Sequence, residues 1–429
     1  MNHGTATTSG LQRRVLALLL LAYIFNFLDR QILAILAIPI TEELGLTKTQ
    51  MGLMGGIAFA SVYSTLAIPF ARYADRRGRV KVISAAIAVW SGFTALCGTA
   101  ASFWQLFLFR MGVGVGEAGG VAPSYALIAD YFPPSKRARA LAVFSLGIPI
   151  GSAIGLFFGG WIASALSWRW AFAIIGLAGL PLAFALWRFI PEPERGTLDP
   201  YHDVADQPRL GEVFAILARK PSFWLLSFGA ASASICGYGL GFWFPTFFKE
   251  SLGIPLARIG LIYGIVVLVG GMAGIWLGGA IGDRVGHSRP SAYALVPGVA
   301  FLLTAPLYII ALNQSSLLIS LIFLSIAYAL SLAWLGPVVN AVQNLVAPPL
   351  RATASACMLL INNLIGIGFG TTMFGWLADW LEPSYGSAAL RYSMLFGLGF
   401  YLLAALLMFG AVATLKRDWF AGPAKLNPA

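Results

Sequence analysis

Long apolar runs alternate with short polar breaks along most of the chain. Runs of about 20 residues or more match the thickness of a bilayer when helical. Helices satisfy their own backbone groups in lipid, so they are the expected spanning units. The pattern predicts twelve segments, near 14–40, 49–72, 80–101, 103–130, 138–165, 168–190, 222–248, 256–282, 289–312, 315–346, 352–381 and 388–415. One long polar connection, Pro191 to Pro221, opens "PEPERG" and contains "LDPYHDVADQP". The expected organisation is an N-terminal six-helix bundle over 1–190, a cytoplasmic linker over 191–221 and a C-terminal six-helix bundle over 222–429. The fold class is an all-α polytopic membrane protein built from two pseudo-symmetric bundles.

The halves repeat each other. "ADRRGR" at 74–79 returns as "GDRVGH" at 282–287, and "GSAIGLFFGGWIA" at 151–163 returns as "GIGFGTTMFGWLA" at 366–378. The "PP" at 133–134 returns at 348–349. Parallel repeats of this kind place a substrate path at their interface, near the midplane. Pro149, Pro245 and Pro337 are expected kinks that serve gating.

Composition agrees with this pattern. Of 429 residues, 59% are hydrophobic and 10% charged, against roughly a quarter charged in a soluble domain. The net charge of +11 reflects topology rather than nucleic acid. Lys and Arg crowd alternate loops, at Arg13–Arg14, Arg72–Lys81, Lys136–Arg139, Arg188–Lys220, Arg284–Arg289, Arg351 and Lys416–Lys425. The opposite loops hold only Lys48, Arg169, Lys249, Arg258 and Arg391. The positive-inside rule puts both termini in the cytoplasm. Arg13 and Arg14 before an apolar run resemble a signal peptide, but the run continues to about Ile40 with no small-residue cleavage site. It reads as an uncleaved first helix. Short tails and compact loops suggest a bacterial inner membrane.

Several chemistries are excluded by pattern. Cys97, Cys236 and Cys357 lie in apolar segments without a CxxC partner, and His3, His202 and His287 form no ligand cluster. Neither a disulfide framework nor a metal site is expected. No GK[ST] follows a glycine-rich stretch, so the chain carries no P-loop of its own. Gly114, Gly116 and Gly119 fit a dinucleotide fingerprint, but they lie in an apolar helix with no preceding strand. They serve close helix packing instead. No cofactor is expected, and no enzyme.

The turn "ARYADRRGRVKV" carries Asp75, Arg76, Gly78, Arg79 and Lys81, and its second copy carries Asp283, Arg284 and Gly286. A basic turn follows from topology alone; a repeated aspartate does not. Here the chain resembles the major facilitator superfamily, whose loop between helices 2 and 3 reads G-x-x-x-D-R-x-G-R-x-K. Ala71 replaces the leading glycine, which the second copy keeps as Gly279. The resemblance implies alternating access, with Asp75 latching one state against an arginine beyond helix 4. Arg137 or Arg139, after "DYFPPSK", is the expected partner.

Four charges lie within the membrane segments. Asp29 and Arg30 are in the first, Arg110 and Glu117 in the fourth. At seven residues apart, Arg110 and Glu117 share one face, about 10 Å apart along the axis. Ionisable groups inside a membrane bundle are functional by default. A desolvated carboxyl balanced by a guanidinium is suited to proton coupling, and Asp29 and Glu117 are the candidates. Glycines rather than a cation flank Glu117, which makes it the stronger one. Neighbours on a helix point about 100° apart, so Asp29 is expected to face helix 4 and Arg30 the cavity. Tyr23, Asn26, Arg30 and Leu33 share a face.

"NFLDR" at 26–30 and "RMGVGVGEA" at 110–118 resemble the spinster-like branch, supported by "WSGFTALCG", "SWRWAF" and "PEPERG". That branch includes eukaryotic carriers of lysophospholipids and sphingosine phosphate. The resemblance implies that Asp29 and Glu117 handle protons, Arg30 meets an anionic headgroup, and Arg110 holds the acids in register. Tyr23, Asn26, Tyr125, Tyr238, Trp243, Trp334 and Asn363 complete the expected substrate-binding set. The expected function is proton-coupled transport by a monomer, leading with export of an amphiphilic lipid or related anion by proton antiport. A facilitator or proton symporter for small organic anions is the nearer alternative. A non-transporting lipid receptor or a membrane enzyme is the alternative of another class.

Overall fold

A computed structural model describes residues 9–193, 210–286, 289–347 and 350–420. Among these, α1 spans Ser9–Leu44, α2 Lys48–Gly55, α3 Ile57–Arg77, α4 Arg79–Cys97, α5 Phe103–Ala118, α6 Val121–Tyr131, α7 Pro134–Ser145, α8 Gly147–Ala165 and α9 Trp168–Phe189. There follow α10 Leu210–Ala218, α11 Pro221–Leu252, α12 Leu256–Gly286, α13 Ala292–Asn313, α14 Leu317–Leu332, α15 Leu335–Gln343, α16 Arg351–Tyr385, α17 Ala389–Gly397 and α18 Gly399–Asp418. Ten helical stretches among the described residues are long and apolar enough to cross a membrane, and one of them, Thr353–Asp418, runs for 66 residues. The chain turns within it at Gly386, whose φ is +52°, between α16 and the pair α17–α18. It therefore makes two crossings. Broken in the middle, α5 and α6 supply the remaining one. The twelve expected segments are all present as helix.

Five of the twelve are interrupted in ways that periodicity does not reveal, segment 2 at Gly56 and segment 12 at Leu398 among them. Segment 4 breaks at Gly119–Gly120, immediately after Glu117, where two tight turns replace helical bonds. Segments 5 and 10 break before Pro149 and Pro337. The sequence predicts that these prolines kink a continuous helix, and they do not. Each sits in the first turn of a new one, where its missing N–H goes unused. Pro245 lies inside α11.

Backbone contacts group the chain into Met1–Val204 with Phe242–Leu268, and Ala205–Gly241 with Val269–Ala429. In the first unit α1 packs along α8, and α4 along both α9 and α5. Lys48 Nζ, at the start of α2, lies 3.6 Å from Glu250 Oε1 at the end of α11. Trp161, Trp170 and Trp187 are more than half exposed, as expected of side chains that face lipid. In the second unit α13 packs on α14 and α18. Lys220 Nζ donates to the Leu345 and Asp418 carbonyls at 2.5 and 2.6 Å, and Ser222 N to Asp418 Oδ2 at 2.9 Å. Burial pushes the Lys220 ammonium below its ordinary pKa, opposed by the charge of Asp418.

Two glycines of α5 set how closely its neighbours approach. A Cβ on Gly116 would stand 2.5 Å from the backbone nitrogen of Trp90 on α4, and one on Gly114 2.9 Å from the carbonyl oxygen of Phe59 on α3. Backbone cannot step aside as a side-chain tip can. Gly116→Ala is expected to lower stability by about 1–3 kcal/mol through overpacking. Gly92→Ala, where a Cβ meets nothing within 4 Å, is expected to be neutral or to gain about 0.5–1 kcal/mol. Thermal unfolding of the two purified variants in detergent checks this, and equal losses would be the wrong outcome.

Candidate functional site

α1 and α5 bring the four intramembrane charges together. Glu117 is 0% exposed, and Asp29, Arg110 and Asn26 are each 2% exposed. Arg30 Nε donates to Glu117 Oε2 at 2.8 Å. Arg110 Nη1 approaches the main-chain carbonyl of Asp29 at 3.5 Å. The expected division of roles is thus corrected. Arg30 does not turn from helix 4; its long side chain crosses to Glu117 itself. Arg110 reaches the α1 backbone at the Asp29 carbonyl, and its charge also acts on both carboxyls.

Aromatic rings enclose the Arg30 guanidinium. Its Cζ lies 5.1 Å from the ring centre of Phe27, 4.7 Å from that of Phe59 and 4.7 Å from that of Tyr63. Phe59 and Tyr63 stand four residues apart on α3 and stack on each other at 5.1 Å. Sequence reasoning missed both. Their spacing on one face was the available signal, but such pairs are common in a chain with 30 Phe.

Hydrogen-bonding capacity is left over. Glu117 Oε1, Arg110 Nε, both amide atoms of Asn26 and Trp90 Nε1 are buried and have no hydrogen-bond partner among the described residues. Asn26 and Trp90 line one small pocket with Tyr23, Ser124 and Phe144. Tyr23 stacks on Phe144 at 4.2 Å, and Tyr125 meets Phe144 edge-on at 5.4 Å. The other expected binding residues lie apart from this cluster in the chain. Trp243 is buried on the first unit's part of α11, edge-on to Phe242. Tyr238, Trp334 and Asn363 belong to the second unit. There Asn362 Nδ2 donates to Asn363 Oδ1 at 3.4 Å, and Ser234 Oγ to Asn362 Oδ1 at 2.8 Å.

The repeated turn is held differently from expectation. Asp75 Oδ1 accepts from Arg79 Nε and Nη2 at 3.1 and 2.9 Å. Arg79 Nη1 also donates to Asp130 Oδ2 and, at 3.2 Å, to the Ala126 carbonyl. The partner of Asp75 here is Arg79, four residues on across the Gly78 turn, rather than Arg137 or Arg139. Arg137 Nη2 donates to the Ala129 carbonyl at 2.8 Å, while Arg76, Arg139 and Arg284 are exposed. Gly78 makes the turn possible with φ +105°, a conformation costly for any other residue. The side chain of Asp283 lies outside the described residues, as does His287. Glu192 of "PEPERG" is a third missed residue. Its two oxygens accept from the backbone nitrogens of Arg79 at 2.6 Å and Val80 at 3.0 Å, capping α4.

An all-helical bundle with lipid-facing apolar walls and paired charges inside defines an integral membrane protein of the secondary-transporter class. The chain belongs to the Major Facilitator Superfamily, whose pattern matches residues 19–371. It is 33% identical to an MFS-type efflux pump of Mycolicibacterium smegmatis, over 90% of this chain and 88% of that one. It is 30% identical to protein spinster homolog 1 of Homo sapiens, over 91% and 79%. The crystal structure of a bacterial homolog of the human lysosomal transporter Spinster, inward-facing and unoccupied, superposes with a TM-score of 0.88 at 30% identity, covering 97% of this chain and all of that one. The chain is a transporter of the spinster type for a small-molecule substrate, not an enzyme.

The α4 cap yields a prediction. Glu192→Ala removes the acceptor for two helix-start N–H groups and is expected to cost about 0.5–2 kcal/mol. Glu192→Gln, which keeps one acceptor, is expected to lose less. Denaturation midpoints of both variants check the order, and no loss in either would refute the cap.

Proposed function

We propose that this transporter couples protons to the movement of an anionic amphiphile, with Glu117 and Arg30 as the exchanging pair. The observation that supports it is the 2.8 Å bond between them inside a buried cluster. With both acids ionised, Asp29, Arg30, Arg110 and Glu117 sum to zero. Put one proton on Glu117, and a guanidinium loses its counter-charge in a site where an uncompensated charge costs several kcal/mol. An anionic headgroup arriving at Arg30 restores the balance. Anion and proton therefore assist each other's binding, as linkage requires. This favours movement of proton and anion together over the exchange that leads the expectations from sequence.

The amphiphile follows from the surroundings. Headgroup charge would be met at Arg30, and the apolar body along aromatic side chains of the first unit such as Tyr23, Tyr125 and Trp243; Tyr238, Trp334 and the amide of Asn363 are proposed as substrate contacts within the second unit. Lysolipid-like anions have this build. The two six-helix halves, 1–190 and 222–429, would work by alternating access, with the turns at Asp75–Arg79 and Asp283–Arg284 as latches. The protein would act as a monomer in a bacterial inner membrane with both termini cytoplasmic.

The test uses purified protein in proteoliposomes and a fluorescent NBD-lysophosphatidate probe. Acid on the side of the probe is expected to accelerate its uptake. Acceleration by acid on the far side would mean exchange, and indifference to the gradient would sink proton coupling. Glu117→Gln is expected to lose the gradient response about tenfold or more, a change of at least about 1.4 kcal/mol. Asp29→Asn keeps the main-chain carbonyl that Arg110 approaches, so it tests the carboxyl alone. Full gradient-driven flux in both variants would remove these acids from the mechanism.

A further inference from the structure

We propose that Phe59 is a positioning residue whose ring keeps Arg30 in place for an anion after Glu117 has released it. The proposal rests on the Arg30–Glu117 reading above. Phe59 is 1% exposed. Its ring centre lies 4.7 Å from Cζ of Arg30 and 5.9 Å from Cζ of Arg110, so one ring is within cation–π reach of both cations. Two guanidiniums in a site with little water repel each other. The negative face of an aromatic ring attracts both, and it has no proton to gain or lose. It is an anchor of the cluster that a change in pH leaves intact, and it reaches both cations.

The ring itself is well fixed. Its own backbone carbonyl lies against Gly114, where a Cβ would come within 2.9 Å. Tyr63 stacks on it, and α3 packs along α5. Phe27 and Tyr63 are also within cation–π reach of Arg30, and Glu117 accepts its Nε–H. When Glu117 takes a proton, that bond weakens and the three rings stay. Arg30 is then a pre-positioned cation instead of a loose side chain. That saves the ordering cost an anion would otherwise meet on binding. The titratable and charged groups around the pair are Tyr23, Asp29 and Arg30 on α1, Tyr63 on α3, Cys97 on α4, Arg110 and Glu117 on α5, and Tyr125 on α6. None of them replaces a ring that does not titrate.

The experiment varies the charge on the ring face while keeping its shape. Phenylalanine analogues with one and three fluorines are placed at position 59, and NBD-lysophosphatidate uptake is measured against probe concentration and pH. KM for the probe is expected to rise stepwise with fluorination, by about fivefold in the trifluoro protein, with the maximal rate within about twofold. Phe59→Tyr is expected to keep the wild-type KM, and Phe59→Leu to exceed the trifluoro effect. A KM unmoved across the fluorine series overturns the proposal, as does loss of maximal rate alone. A pH-independent wild type would instead overturn proton coupling, and the fluorine series would still report whether the ring holds Arg30.

Discussion

The site depends on the close crossing of α5 with α3 and α4. Gly114 and Gly116 let two backbones reach α5 where any side chain would hold them off. That approach dries the space around Glu117 and Arg110, and dryness gives the charges their strength. A pair that is worth little at a surface becomes costly to break once buried. The structure meets that cost by placing two acids beside two arginines and by giving Arg30 both a carboxyl group and three rings. Burial and pairing are one arrangement, and neither is tolerable without the other.

The two halves share a fold but not this chemistry. In the second unit, the buried polar groups within the described spans are hydroxyls and amides, such as Ser234 with Asn362. Its charged contacts, Lys220 with Asp418 among them, lie at helix ends. Duplication therefore preserved the turns and the glycine-rich packing seams, which any six-helix bundle needs. Ionisable groups inside the membrane are expensive wherever they occur. One half carrying all four is the arrangement that lets them neutralise one another.

Much of this was legible in the sequence, for reasons that differ by level. Segment count, repeat and intramembrane charges follow from runs of apolar residues and from the rarity of charge within them. The breaks at Gly119–Gly120 and before Pro149 and Pro337 were not, because a glycine or proline in an apolar run fits a packing seam, a kink or a break equally well. The direction of Arg30 was misjudged. A rotation of 100° per residue fixes only the Cα–Cβ bond, whereas Arg30 has a side chain long enough to bring its guanidinium back to α5. The same limit explains Asp75: a latch to Arg137 or Arg139 looked natural from the turn, while Arg79 comes back to it across the Gly78 turn. Phe59 and Glu192 were invisible as functional residues, since their roles come from segments that meet only after folding.

The helix-end contacts and the buried site are joined mechanically through α4. Glu192 and the Asp75–Arg79–Asp130 contacts hold the start of that helix. Farther along it, the Trp90 backbone rests in the notch at Gly116, next to Glu117 in sequence. A shift of α4 along its axis would carry Trp90 out of the notch and open the crossing to water. Because packed helices move as rigid bodies rather than stretching, what holds the start of α4 also sets how dry Glu117 stays. The turn repeated in both halves is therefore more than a topological marker in the first. It is attached, through one helix, to the carboxyl whose proton the proposed cycle uses.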